Sequence, residues 1–201
     1  MNSNSNVAGL QRRAVVAHIL AKRENSLVVA GLGSAAWDCA AFDSNPLDFL
    51  LWGAMGSTAA IGLGLAQAQP SRRILVISGD GDITMGMGSL VAIGTAGPKN
   101  LTLIVLDNER YGETGMQISH TARNTDLAGI AKSSGFLNTL TVCNEQELDL
   151  SFSLIYDKPG PTAIIIKVRS EQLARILPPR DGVFLKDRFR TALLGENLAH
   201  K

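Results

Sequence analysis

The chain has 201 residues, 45% of them hydrophobic, enough to bury a sizeable core as one large domain. Nineteen lysines and arginines against 18 acids leave a net charge of +1, and no basic run interleaved with aromatics offers a footprint for nucleic acid. The most apolar window, residues 54–66, is shorter than the ~20 residues that span a bilayer, and no charged-then-apolar leader precedes it, so the reading is a cytoplasmic protein without a membrane partner.

The start, MNSNSN, reads as a polar tail over residues 1–10. Four near-continuous, β-branched apolar runs follow: SLVVAGLG at 26–33, RRILVISGDG at 72–81, LTLIVLDN at 101–108 and PTAIIIKV at 161–168. Strands covered on both faces read this way. Helices are expected over 54–69, 83–96, 125–134 and 145–156, the third opening on Thr125 as its cap and closing on Gly135. The alternation predicts an α/β fold, a doubly wound open parallel sheet with helices on both faces, as the main domain over 11–170. Beyond the last strand Pro178-Pro179 breaks the chain and 186–194 reads as an amphipathic helix, so 171–201 forms a C-terminal helical extension that packs on the domain or on a partner.

Isolated Cys39 and Cys143 are in no metal-ligand spacing and read as buried structural thiols. His18, His120 and His200 are equally scattered, which disfavours metal or acyl chemistry borne by histidine. Gly31-Leu32-Gly33-Ser34-Ala35-Ala36 fits G-x-G-x-x-A after a strand. A dinucleotide site also wants an acid about 20 residues on at a strand end, and the region of Asp48 does not resemble such a strand. The glycine pair therefore reads as a turn.

Gly79-Asp80-Gly81-Asp82 is the candidate site. Glycines flanking Asp80 let the backbone approach a ligand closely, and the segment from Ile83 offers helix N-terminal N–H groups that favour an anion. Asp80 and Asp82 are themselves anions, so alone the tetrapeptide favours a simple turn. A divalent cation between acid and phosphate reconciles the two, because Mg²⁺ combines one or two side-chain oxygens with phosphate oxygens and water. Asp107-Asn108 ends the next strand, Asn108 about 28 residues after Asp80, so one βαβ unit carries both side chains to the same sheet edge. Asn108 offers a neutral carbonyl oxygen to the same cation, and the turn NERYGETG adds a main-chain carbonyl and several N–H groups.

GDGD followed by DN in LDNERYGETG resembles the cofactor motif of the thiamine-diphosphate enzymes. In the same order, LWGAMGSTAAIGLGLA is similar to that family's aminopyrimidine-holding segment, and TDLAGIAKSSG and PGPTAIIIKV to its following helix and last strand. The likeness covers about 27–168 and corresponds to the family's C-terminal, diphosphate-binding domain. It implies thiamine diphosphate and Mg²⁺ as cofactors, with the metal held by the side chains of Asp80 and Asn108 and the carbonyl of Arg110. Gly79, Gly81, Asp82, Tyr111, Gly112 and Glu113 would line or contact the diphosphate. Gly53 would offer its carbonyl to the exocyclic amino group of the aminopyrimidine, and Met55 would wedge the two cofactor rings into a bent shape; these two carry the catalytic roles.

Asp107 stands where the family commonly has Asn, and Glu113 where the pyruvate-analogue decarboxylase branch more often has a small residue. LDN…YG.TG.Q and the tail PPRDGVFLKDRF resemble sulfopyruvate and phosphonopyruvate decarboxylases. The resemblance thus implies decarboxylation of a small 2-oxo acid. The glutamate that activates the cofactor lies in a separate pyrimidine-binding domain in this family, so an α-type partner chain would supply it in a hetero-oligomer. Arg110, His120 and Arg123 are candidates to meet a sulfonate or phosphonate, unless the partner supplies that pocket. Two other readings stand beside this one: a non-catalytic cofactor-binding module, and a 2-oxoacid:ferredoxin oxidoreductase-type β-subunit, which in its commoner forms carries cluster-binding cysteines.

Overall fold

The computed structural model describes residues 9–199. In chain order its elements are α1 (Arg12–Leu20), β1 (Leu27–Ala30), α2 (Ser34–Phe42), β2 (Asp48–Leu50), α3 (Thr58–Ala68), β3 (Ile74–Gly79), α4 (Asp80–Met85) and α5 (Gly88–Ala96). There follow β4 (Leu101–Asp107), the short pair β5 (Arg110–Tyr111) and β6 (Gln117–Ile118), a 3-10 turn (His120–Ala122), α6 (Leu127–Ser133), β7 (Asn138–Val142), α7 (Glu145–Tyr156), β8 (Thr162–Lys167), α8 (Gly182–Leu194) and α9 (Glu196–Ala199).

Successive residues of a strand face opposite sides of a sheet, and here both sides are covered. Leu75, Ile77, Ile104, Leu106, Ile164 and Ile166 point to a layer with α1, α2 and α7, meeting Val16, Ile19, Cys39, Phe152 and Ile155. Their neighbours Ile74, Val76, Leu103, Val105, Ala163 and Ile165 point to α3, α5 and α6, meeting Ala66, Ile93, Leu127 and Ala131. That two-sided burial explains why the four strongest strands read as unbroken apolar runs. They join β2 and β7 in a sheet of order β2-β1-β3-β4-β8-β7 in which every neighbouring pair is parallel, the doubly wound arrangement expected. The chain steps outward from β1 to β2 and returns past β1 to β3, so the crevice at the C-terminal ends of β1 and β3 is the place where such sheets hold ligands.

Several expectations need correction. The first eight residues of the expected tail lie outside the described residues, and at its end Leu10 is buried and bridges Val168 in parallel. Region 48–50 is a strand after all, but Asp48 begins it rather than ends it and is ion-paired with Arg23, so it could not serve a dinucleotide. The helix expected from 54 begins at Thr58, because Ala54 and Gly56 take left-handed φ values of 63° and 88° and keep 54–57 in a loop. The helix expected over 83–96 is two helices. The first starts at Asp80 directly off β3, and the chain breaks at Gly86, where an added Cβ would lie 1.8 Å from the carbonyl oxygen of Gly56.

Caps settle the remaining ends. Asp126, not Thr125, caps α6 by accepting from Gly129 N. Asn144 accepts from Glu147 N at 2.9 Å while Glu147 accepts from Cys143 N at 2.6 Å, a reciprocal cap that starts α7 where the sequence places it. Residues 169–181 have neither helix nor strand, and α8 begins four residues earlier than expected because Asp181 accepts from Val183 N and Phe184 N. α8 lies against β2, with the ring of Phe189 5.5 Å from that of Phe49. Among the described residues no helix is long and apolar enough to cross a membrane.

Phe189 is buried in the same layer as the sheet strands, whereas Val183 on the same helix is exposed. Phe189→Ala should therefore cost about 3 kcal/mol in denaturant unfolding. Val183→Ala should stay within about 0.5 kcal/mol of the native chain.

Candidate active site

At the C-terminal edge of the sheet, the ends of β1, β3 and β4 and the β5–β6 hairpin enclose a cleft. It is lined by Gly79, Asp80, Gly81 and Asp82, by Asn108, Arg110, Tyr111, Gly112 and Glu113, and by Met55. Of the residues the sequence singled out for the cofactor and metal, only Gly53 is absent from the lining, standing exposed two positions before Met55. Leu32, Ser34, Leu106 and Thr114 also line the cleft. The glycine-rich turn set aside as a dinucleotide fingerprint thus does border the ligand space.

Asp80 opens α4 and is buried. Its Oδ2 accepts from Ser119 Oγ at 2.5 Å and from Thr121 Oγ1 at 3.0 Å, which leaves Oδ1 without a hydroxyl bond. Burial pushes the Asp80 carboxyl above its ordinary value; the Ser119 and Thr121 hydroxyls oppose this and the charge of Asp107 adds to it. Thr121 Oγ1 also lies 2.7 Å from Asp107 Oδ1, and Lys167 Nζ donates to Asp107 Oδ2 at 2.7 Å and to Glu109 Oε1 at 2.8 Å. Burial alone would lower the Lys167 ammonium, but these two carboxylates outweigh it and hold the group above its usual value.

Asp82 lines the same cleft, yet both of its oxygens are engaged. Oδ1 accepts from Gly56 N at 2.5 Å and Oδ2 from Ser78 Oγ. This acid fastens the Met55 loop to the end of β3. The loop keeps Met55 38% exposed over the cleft, beside Trp52, whose Nε1 donates to Pro179 O at 2.7 Å.

Gly81 lies under the Tyr111 ring so closely that a Cβ there would meet it at 2.6 Å, with Met55 Cε 3.6 Å away on another side. Tyr111 OH is 2.9 Å from His120 Nδ1. Asn108 Oδ1 accepts from Arg110 N at 3.0 Å, and Arg110 spends NH1 on Glu109 O. Of the three substrate-anion candidates, Arg110 lines the cleft, His120 reaches it through Tyr111, and Arg123 is exposed and outside the lining. Positive φ values at the non-glycine residues Ala54, Glu109 and Met116 gather in the two loops around this cleft.

The hydroxyls of Ser119 and Thr121 and the ammonium of Lys167 were not foreseen. HTARNTD shows no motif, and Lys167 ends an apolar strand where a lone charge ordinarily marks only the strand's wet end.

A protein-family profile described as thiamine pyrophosphate enzyme, C-terminal TPP binding domain, matches residues 31–166. The sulfopyruvate decarboxylase subunit beta of Methanocaldococcus jannaschii is 36% identical over 173 residues, 85% of this chain and 89% of that protein. A phosphonopyruvate decarboxylase of Streptomyces viridochromogenes is 30% identical over 84% of this chain, which spans 42% of its length. Among solved structures, the thiamine diphosphate-dependent 4-hydroxybenzoylformate decarboxylase of Rhodococcus jostii RHA1 shares the fold with a TM-score of 0.68 at 17% identity, over 86% of this chain and 35% of that one.

Because Asp82 alone ties Gly56 N and Ser78 to one another, Asp82→Ala should cost about 2 kcal/mol. Amide hydrogen exchange across 53–57 should accelerate while that of β3 stays slow.

Proposed function

The chain belongs to the thiamine pyrophosphate enzymes, and from that premise we propose that it is the β-type subunit of a thiamine-diphosphate- and Mg²⁺-dependent decarboxylase. Its substrate would be a small 2-oxo acid bearing a second anionic group of the sulfonate or phosphonate kind, as the names of its relatives suggest. The observation that carries the reading is the meeting of Asp80, Asn108 and Met55 in one cleft from three separate segments.

The donors present fit the cofactor. Among the described residues no three His, Cys, Asp or Glu side chains converge as a metal cage. What the cleft offers instead is one buried carboxylate with an oxygen free of side-chain bonds, one amide and main-chain carbonyls, the hard oxygen donors Mg²⁺ takes when phosphate oxygens and water complete its shell. The missing Cβ of Gly81 lets the Tyr111 ring pack directly on the backbone at the start of α4. Asp80, Asn108 and the Arg110 carbonyl would hold the metal, while Gly79, Gly81, Gly112 and Tyr111 would flank the diphosphate. Asp82 acts one step back, holding the loop that presents Met55 and Gly53 to the aminopyrimidine end.

Thiamine diphosphate, when bound, would supply a carbon nucleophile for the 2-oxo carbonyl and a cationic ring to take up the electron pair released as carbon dioxide leaves. The protein's part would be to support the cofactor's rings at Met55, to fix its anionic end and to exclude water from the reacting face. Arg110 lines the cleft and would meet the substrate's second anion, with His120 behind it on the Tyr111 hydroxyl.

A partner chain is supported by the Methanocaldococcus relative, which is named as a beta subunit and is matched over 89% of its length. Apolar groups left open beside the cleft, Trp52, Met55 and Met85, suit contact with such a chain. Both cysteines are free, Cys39 buried and Cys143 exposed, which supports a reducing, cytoplasmic setting.

Purified alone, the chain should show no decarboxylation of sulfopyruvate or phosphonopyruvate. Activity should appear on co-purification with the product of a neighbouring reading frame of similar size, and robust turnover by the lone chain would overturn the subunit reading. Asp80→Ala should abolish Mg²⁺-dependent thiamine diphosphate binding in calorimetry with little change in unfolding midpoint.

A further inference from the structure

Thr121 stands between two carboxylates that the sheet brings side by side. Its hydroxyl oxygen is 3.0 Å from Asp80 Oδ2 and 2.7 Å from Asp107 Oδ1, and Ser119 Oγ is 2.9 Å from it. Asp80, Asp107, Ser119 and Thr121 are all buried, so these bonds exchange little with water. A threonine hydroxyl carries one hydrogen and can donate to only one carboxylate at a time. Asp107 has its own cation, because Lys167 lies opposite it in the β4–β8 register and donates to its other oxygen. Among the described residues Asp80 has no ion-pair partner, and its second oxygen is left free of hydroxyl bonds.

We infer that Thr121 and Lys167 are positioning residues for the cation site: Lys167 neutralises Asp107, which frees the one Thr121 hydrogen for donation to Asp80, and Asp80 is thereby held with one oxygen presented to Mg²⁺. The inference rests on the metal reading of Asp80 given above. The same contacts secure the β5–β6 hairpin. Ser119 N donates to Glu109 O at 3.0 Å, closing the hairpin base, and Lys167 grips Glu109, whose φ of 60° turns the chain from Asn108 to Arg110. Both remaining cation donors sit on that turn. Groups that orient ligands in this way commonly change metal affinity 10- to 100-fold when removed.

The test uses the full chain together with the partner it purifies with, and calorimetric titration of thiamine diphosphate across a range of Mg²⁺ concentrations. Thr121→Val keeps the shape and removes the hydroxyl; its apparent Mg²⁺ dissociation constant should rise about tenfold or more. Saturating Mg²⁺ should then restore native cofactor affinity. Thr121→Ser, which keeps the hydroxyl, should behave as the native protein, and Lys167→Met should shift the Mg²⁺ dependence in the same direction as Thr121→Val. An unchanged Mg²⁺ dependence in both Thr121→Val and Lys167→Met, beside loss of binding in Asp80→Ala, would overturn the inference and leave the metal reading standing. Equal loss of cofactor affinity at every Mg²⁺ concentration would mark the residues as merely structural, which also overturns it. Native binding by Asp80→Ala itself would remove the metal reading and this inference with it.

Discussion

Parallel pairing of β3 with β4 sets Gly79 opposite Leu106, so Asp80 and Asp107 leave the sheet side by side, each only 2% exposed. Two carboxylates buried together repel one another and lose their hydration, a combination a fold sustains only with compensation close at hand. The next register pair provides it: Asp107 lies opposite Lys167 on β8, and that ammonium reaches Glu109 as well. The hairpin between β4 and α6 then bends back far enough to place Ser119 and Thr121 on Asp80. Much of the loop geometry at this sheet edge follows from the need to house those two charges.

What could be read in the sequence divides along physical lines. β1, β3, β4 and β8 are buried on both faces, so composition alone reveals them. β7 lies at the sheet edge, where Asn138, Thr139 and Thr141 are only partly covered or exposed, and its apolar signal is diluted to that of a loop. β2 has three residues, too few to establish a period. The single helix expected over 83–96 fails for a reason no periodicity contains, the close approach of the Gly86 backbone to Gly56 across two segments distant in sequence.

The site divides in the same way. Asp80 and Asn108 are legible because both end strong strands, and the strand-end rule converts sequence position into spatial position without further information. Asp82 was legible as a site residue but not in its role, since nothing local reveals that Gly56 N and Ser78 Oγ occupy its oxygens. Ser119 precedes and Thr121 lies on a short 3-10 segment that follows directly from the hairpin before it. Residues of that kind become visible only when the tertiary hydrogen bonds are counted.

The charge balance at the cleft bears on why a cation belongs in the proposed chemistry. Asp80, Asn108, Arg110 and Glu113 line it, with Asp107 and Glu109 immediately behind and Lys167 already shared between those two. Glu113 does not stand free over the diphosphate space: an added Cβ at Gly33 would meet its Oε1 at 2.9 Å, and the side chain also borders a neighbouring cleft that contains Arg12 and Arg175. Its side chain thus borders both clefts. Asp80 is the buried carboxylate beside the turn that would take a diphosphate, without an ion-pair partner among the described residues. An anion entering there meets repulsion unless a divalent ion comes with it. In the proposed chemistry, cofactor affinity would depend on Mg²⁺ more steeply than in a site whose carboxylates each had a lysine or arginine partner, since the metal would have to offset the local negative charge.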